Sequence, residues 1–201
     1  ASEVGHLVAW EPLGFWEMSA EEFDQLLASA GYGNVPPARN GLVMYRYRYT
    51  TQDRGALVEA TATLTLPVLD ESPGEPIPTF LNLHGTSGWS DPCAPSRDPL
   101  HLFNALAAAF AALGYVAVSP DHIGMIGFGE SASSVHAYLH GEQMAIGAWD
   151  AVRAGEELIE ELGDPVPTDE RTVVWGSSQG GHGALFVERY APHYAPERNV
   201  L

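Results

Sequence analysis

The stretch whose residue types most directly suggest chemistry is Gly176-Ser177-Ser178-Gln179-Gly180. A serine hydroxyl is a weak nucleophile until a base removes its proton and donors receive the charge that develops on the attacked carbonyl oxygen. The spacing Gly-x-Ser-x-Gly supplies part of that when it joins a strand to a helix. Here the apolar run Thr172 to Trp175 precedes it, and a helix-like stretch from Gly181 to about Tyr190 follows. So sharp a turn requires the residues two before and two after the serine to be almost free of side chain. Gly176, Gly180 and Gly181 meet that requirement, and the helix start directs its positive end at the reacting centre. Ser178 is the candidate nucleophile and the Gln179 amide a candidate oxyanion donor. Ser177 is off centre. The plainer alternative is a glycine-rich strand-to-helix turn carrying an idle serine, and the motif in this context outweighs it.

A second donor is sought on the loop after the neighbouring strand. His84-Gly85-Thr86-Ser87-Gly88 occupies that place, with Thr86 N–H as the candidate. A His-Gly pair alone could be a simple turn; beside the elbow it gains weight. His84 reads as a hydrogen bonder that fixes the loop. His136 and His140 stand at i, i+4 and could ligate a metal, but no third ligand lies nearby, so they read as a polar surface pair. No metal or other cofactor is expected.

The elements that must position these residues follow from pattern. Leu7 to Leu13 reads as extended. Ser19 and Glu22 form a capping box for a short helix with Phe23, Leu26, Leu27 and Ala30 at helical spacing, closed by Gly31. Val43, Tyr45, Tyr47 and Tyr49, then Val58, Ala60, Ala62, Leu64 and Leu66, alternate on either side of Asp53-Arg54-Gly55, which predicts an antiparallel hairpin. From Pro76 the order becomes strand, helix, strand, helix, strand, helix, the pattern of a parallel sheet covered on both faces. It comprises strand Thr79 to Leu83, a helix capped by Asp98 with Pro99 at its first position and Gly114 past its end, and strand Tyr115 to Ser119. A helix from about Gly141 to Leu162 follows, with Met144, Ala148, Val152, Ile159 and Leu162 on one face and Gly163 closing it, and then the elbow. Asp150 and Arg153 can pair on that helix, whereas Glu156, Glu157, Glu160 and Glu161 read as a solvated acidic face.

With 201 residues, 45% of them hydrophobic, the chain can bury a substantial core, and a single domain is expected. The formal net charge of −17, with nine Arg and no Lys, argues against nucleic acid or an anionic membrane as partner. No apolar run approaches the roughly 20 residues of a spanning helix. A start at Ala1 rather than Met would fit a mature product whose leader has been removed, and the lone Cys93 is either a buried thiol or half of a pair with a thiol elsewhere.

Three stretches make the sequence resemble the α/β-hydrolase superfamily, and within it the bacterial and fungal secretory lipases. They are His84-Gly85-Thr86-Ser87-Gly88 running on to Cys93-Ala94-Pro95-Ser96, Gly114 to Asp121, and Trp175 to Gly183; Glu11-Pro12-Leu13 adds to them. The resemblance implies an α/β-hydrolase fold, a triad serine at Ser178, oxyanion amides at Thr86 and Gln179, and hydrolysis of a lipid-like or small ester in a secreted or periplasmic setting. It departs from the family at Asp121 to Ser131, which is a few residues longer than the usual Asp-x-x-Gly-x-Gly-x-Ser. Trp89, Met125 and Phe128 fall on loops near the expected pocket mouth, where they either contact an acyl chain or pack the core.

A triad in this fold runs Ser, then Asp or Glu, then His, on loops after further strands. Only 23 residues follow Ser178. His193 would lie on the order of 20 Å along a helix at 1.5 Å per residue, and His182 reads as packing beneath the elbow. The chain is therefore expected to be the N-terminal part of a hydrolase domain spanning 1–201, with the C-terminal strands missing. The acid and histidine are expected on a second polypeptide or beyond the given sequence. The elbow strand is expected as an exposed parallel edge prone to aggregation. The activity expected is that of a serine esterase or lipase. A peptidase or acyltransferase of the same fold, or a non-catalytic hydrolase-like binding protein, are the rivals.

Overall fold

The computed structural model describes residues 3–69, 73–163 and 166–201. Ala1, on which the reading of a removed leader rests, lies outside the described residues. The chain opens with β1 (Leu7–Pro12) and α1 (Ala20–Ser29). The capping box forms as read: the Ser19 hydroxyl accepts from Glu22 N at 3.3 Å and Glu22 Oε2 accepts from Ser19 N at 2.8 Å. β2 (Gly41–Asp53) and β3 (Ala56–Val68) pair along their full length. Both turn residues, Arg54 and Gly55, have positive φ, the conformation whose twist matches a two-residue hairpin.

The second half alternates as its pattern demands: β4 (Ile77–Leu83), α2 (Leu102–Ala112), β5 (Val116–Pro120), α3 (Gly141–Leu162), β6 (Thr168–Gly176), α4 (Gln179–Tyr194) and β7 (Asn199–Val200). Among the described residues the sheet runs β1-β2-β3-β5-β4-β6-β7. It is antiparallel from β1 through β5 and parallel across β5, β4, β6 and β7. Phe23 of α1 and Ala108 and Ala111 of α2 cover one face, over Leu42 and Met44. Trp149 and Val152 of α3 and Val187 of α4 cover the other, over Tyr47, Tyr49, Leu64 and Leu81.

Polar groups tie this second face together. Tyr47 and Tyr49 donate their hydroxyls to Ala151 O at 2.6 Å and Gly147 O at 2.9 Å. Asp150 is fully buried and accepts from Thr51 at 2.7 Å, Tyr194 at 3.0 Å and its expected partner Arg153 at 3.1 Å. Burial raises the Asp150 pKa against the pull of these donors. Among the described residues no helix is long and apolar enough to cross a membrane.

The structure corrects several local readings. Asp98 does not cap α2. Its carboxylate accepts from Leu100 N at 2.9 Å and Pro99 O accepts from the Trp16 indole at 2.6 Å, so the helix starts three residues later with His101 as cap. α4 continues through Pro192 to Tyr194 rather than ending near Tyr190. The acidic residues of α3 are not simply solvated. Glu157 accepts from His6 at 2.7 Å and Leu7 N at 2.8 Å, Glu161 from Trp10 at 2.9 Å, and Glu156 pairs with Arg198. Three of the four therefore fasten the first and last strands to α3. Finally, β6 is not a bare edge: β7 pairs with it at Arg171 and Thr172, leaving the outer flank of Val173–Gly176 without a strand among the described residues.

Candidate active site

β6 rises through the sheet and ends at Gly176, and α4 begins at Gln179, so Ser177 and Ser178 make the whole connection. Ser178 has φ +54° and ψ −117°, a left-handed backbone that a side-chain-bearing residue adopts at a cost of about 1–3 kcal/mol. The surrounding atoms impose it. A Cβ on Gly176 would lie 2.1 Å from Gly180 O, and one on Gly180 would lie 1.8 Å from Leu83 O. Neither glycine tolerates replacement without backbone movement, whereas Gly181, at 3.3 Å from Gly176 O, is only tight. The serine is exposed.

The loop after β4 lies against this bend. A Cβ on Gly85 would sit 3.1 Å from Ser177 O and 3.6 Å from Ser178 Cβ, which places the residue before Thr86 beside the serine. His84 is buried and donates from Nδ1 to Gly85 O at 2.6 Å, which holds the loop as read. Burial pushes the His84 pKa down to about 4, so the ring is neutral. Thr86 is exposed and its hydroxyl pairs with that of Tyr138 at 3.0 Å. Gln179 is the first residue of α4; N–H groups at that position have no carbonyl within their own helix and point outward. Its side chain, by contrast, is buried and donates to His136 Nε2 at 2.8 Å. The structure thus brings Ser178, Gln179 and the Thr86 loop to one spot.

Other candidates fall elsewhere. His182 is half-buried with its ring 4.8 Å from Phe186, and His193 sits exposed in the last turn of α4. The Ser178 hydroxyl makes no hydrogen bond to a histidine among the described residues. Reading His136 and His140 as a surface pair is incorrect. His136 is buried, donating from Nδ1 to Ile123 O at 3.1 Å, while His140 caps α3 by accepting from Gln143 N at 3.2 Å. Among the described residues no three His, Cys, Asp or Glu side chains are placed so that they could hold a metal ion. Met125 is fully buried core, Phe128 lies under the Arg46 guanidinium at 5.1 Å, and Trp89 is 57% exposed with its ring 4.7 Å from Tyr138. Cys93 is a half-buried free thiol.

The longer segment after β5 is anchored by Asp121. Its buried carboxylate accepts from Ser96 N at 2.8 Å and from the hydroxyls of Ser96 and Thr61. Burial pushes its pKa up to about 6 despite those donors. His122, at φ +63°, donates from Nε2 to His84 O at 3.2 Å, and burial holds its pKa well below the usual value. Sequence reasoning missed His122, His136 and Tyr138 as neighbours of the elbow, since 40 to 56 residues separate them from Ser178 and nothing local marks the approach.

A strand-to-helix elbow on a parallel strand, next to a loop that follows the adjacent strand, within a sheet carrying an antiparallel flank, defines the α/β-hydrolase fold, and this chain has it in part. The whole chain superposes on the rice cell wall degrading esterase LipA from Xanthomonas oryzae with a TM-score of 0.79 and 25% identity, covering 49% of that chain. It also superposes whole on Candida antarctica lipase A, with a TM-score of 0.63 and 20% identity, covering 41% of that chain. The protein therefore spans about half the length of the solved structures it matches. No family model matches the sequence, and no curated protein does.

Proposed function

We propose that this chain carries the nucleophile and oxyanion donors of a serine esterase acting on a small or lipid-like ester. Ser178 Oγ attacks the ester carbonyl carbon while its proton passes to a histidine. The amides of Thr86 and Gln179 hold the tetrahedral oxyanion, and collapse expels the alcohol with that proton. Water then adds to the acyl-enzyme and releases the acid. The observation that carries this reading is the Ser178 backbone, held at φ +54° between two glycines that cannot be replaced without backbone movement, beside the Gly85 loop. A bend with no chemical role gains nothing from such strain.

The histidine and the acid come, in this proposal, from polypeptide outside these 201 residues, either a second chain or the remainder of a longer one. Two observations support a further polypeptide near the end of β6. The outer edge of Val173–Gly176 has no strand partner among the described residues. An apolar groove of about 570 Å³ runs between the α1 region and α2, walled by Leu27, Tyr32, Leu102, Leu106 and Phe110, and reaches Trp175 and Ser177.

The test compares the native protein with the isolated 201-residue chain on a panel of p-nitrophenyl esters and aminoacyl amides, with intact mass recorded for each. Ester turnover by the native protein only, with amides untouched, is the expected result. Full esterase activity from a single 21.6 kDa species would overturn the origin assigned to the histidine. Preference for amides would replace the esterase reading with a peptidase.

A further inference from the structure

We infer that the segment 121–139 sets the spacing between the two main-chain donors, with His136 as the positioning residue that acts through Gln179. This rests on the reading of Ser178 and its donors given above. The His136 ring donates from Nδ1 to Ile123 O at 3.1 Å, which leaves Nε2 as an acceptor. Gln179 donates its side-chain amide to that atom at 2.8 Å, and both side chains are buried. The Gln179 side-chain carbonyl oxygen has no hydrogen-bond partner among the described residues, so the His136 ring is the polar tether seen on the residue that follows Ser178. A tether on the side chain of the first helical residue limits how far that residue, and with it its main-chain N–H, can shift.

The same segment grips the other donor at two points. His122 Nε2 donates to His84 O at 3.2 Å, two residues before Thr86, and the Tyr138 hydroxyl meets the Thr86 hydroxyl at 3.0 Å. The three imidazoles lie in a row, with ring centroids 4.0 Å apart and planes tilted by 31° for His84 and His122, and 5.9 Å apart and nearly parallel for His122 and His136. The backbone is bent to achieve this. His122 has φ +63°, and Gly124 has φ +92° with room for no Cβ, which would lie 2.2 Å from His136 N. Oxyanion donors act only when held at fixed distance before the charge develops, and a displacement near 1 Å costs about 10²-fold. One rigid segment touching both donor residues supplies such a constraint.

The test uses the complete protein and four variants: His136→Phe, which keeps a planar ring without the acceptor, His136→Gln, Gln179→Leu, and the His136→Phe/Gln179→Leu double. For p-nitrophenyl ester hydrolysis His136→Phe and Gln179→Leu are each expected to lower kcat about 10- to 100-fold with KM within about twofold. His136→Gln, which can still accept, recovers part of the loss. The double variant is expected to be no slower than the worse single, because both break one bond. Unchanged kcat in a folded variant, a rise in KM alone, or losses that multiply in the double would overturn the inference. Gln179→Leu carries the test if His136→Phe does not fold. Ser178→Ala in parallel separates the two levels: activity persisting there removes the nucleophile assignment itself, whereas its loss beside fully active His136 and Gln179 variants removes only the inference.

Discussion

The two flanks of the sheet are built on opposite terms. On the β1–β3 side the hairpin pairs residue for residue over 13-residue strands, and Tyr47, Tyr49, Leu64 and Leu66 are fully buried beneath α3. On the β4–β6 side, β6 is paired outward at two residues only, Trp175 is half-buried, and its end is forced into a strained turn. Apolar burial, worth about 25 cal/mol per Å², runs from the first flank on through Phe80, Leu81 and Leu83 of β4 and falls off at β6. The second has less outward pairing and a strained turn, and ends in the exposed Ser178 beside the Gly85 loop. The strained turn and the proposed chemistry thus sit on one flank only, and substitutions in the hairpin should change stability without touching that chemistry, whereas substitutions at the elbow should change both.

The largest effect is expected at the elbow. Gly180→Ala drives a methyl to within 1.8 Å of Leu83 O and should destabilise by more than about 3 kcal/mol, seen as loss of soluble protein or a steep fall in Tm. A cost below about 1 kcal/mol would mean that β4 and the elbow are not in such close contact. By contrast Gly163→Ala, at φ +64° with open space around it, should cost only about 1 kcal/mol.

Acid sensitivity is next. His84 is neutral in the fold, its pKa depressed to about 4, so the stability it contributes is fully present above pH 6.5 and is lost as pH falls through that interval. Asp121 runs the other way: with its pKa raised to about 6, the native state binds a proton before the unfolded chain does, offsetting the loss below pH 6. Removing the offset with Asp121→Asn should steepen the decline in urea-melt stability between pH 6 and 4 by about 3 kcal/mol. Parallel pH profiles for the two proteins would contradict this assignment. The smallest effect lies in the hairpin, where Tyr47→Phe removes a 2.6 Å bond to Ala151 O and should cost about 1 kcal/mol with the proposed ester hydrolysis unchanged. A change in kcat from that substitution would dissolve the separation between flanks.

Features governed by neighbours in sequence were legible from it. The capping box at Ser19, the Arg54-Gly55 turn, both ends of α3 and the glycines around Ser178 are each determined within about five residues, and each stands where the pattern puts it. What escaped depended on distant partners. Asp98 has the chemistry of a cap, but Leu100 N claims it and Trp16, 83 residues away, takes the Pro99 carbonyl. His136 and His140 share a helical spacing while the chain between them turns one inward to Gln179 and leaves the other as a cap. β7 is two residues long and is defined only by the strand it meets.

The central claim is tested most directly by a fluorophosphonate probe on the native protein, with the adduct located by peptide mass. The account predicts one stoichiometric adduct on Ser178, abolished together with ester hydrolysis in Ser178→Ala and retained in Ser177→Ala. Labelling at Ser177, or undiminished labelling and turnover in Ser178→Ala, would contradict it.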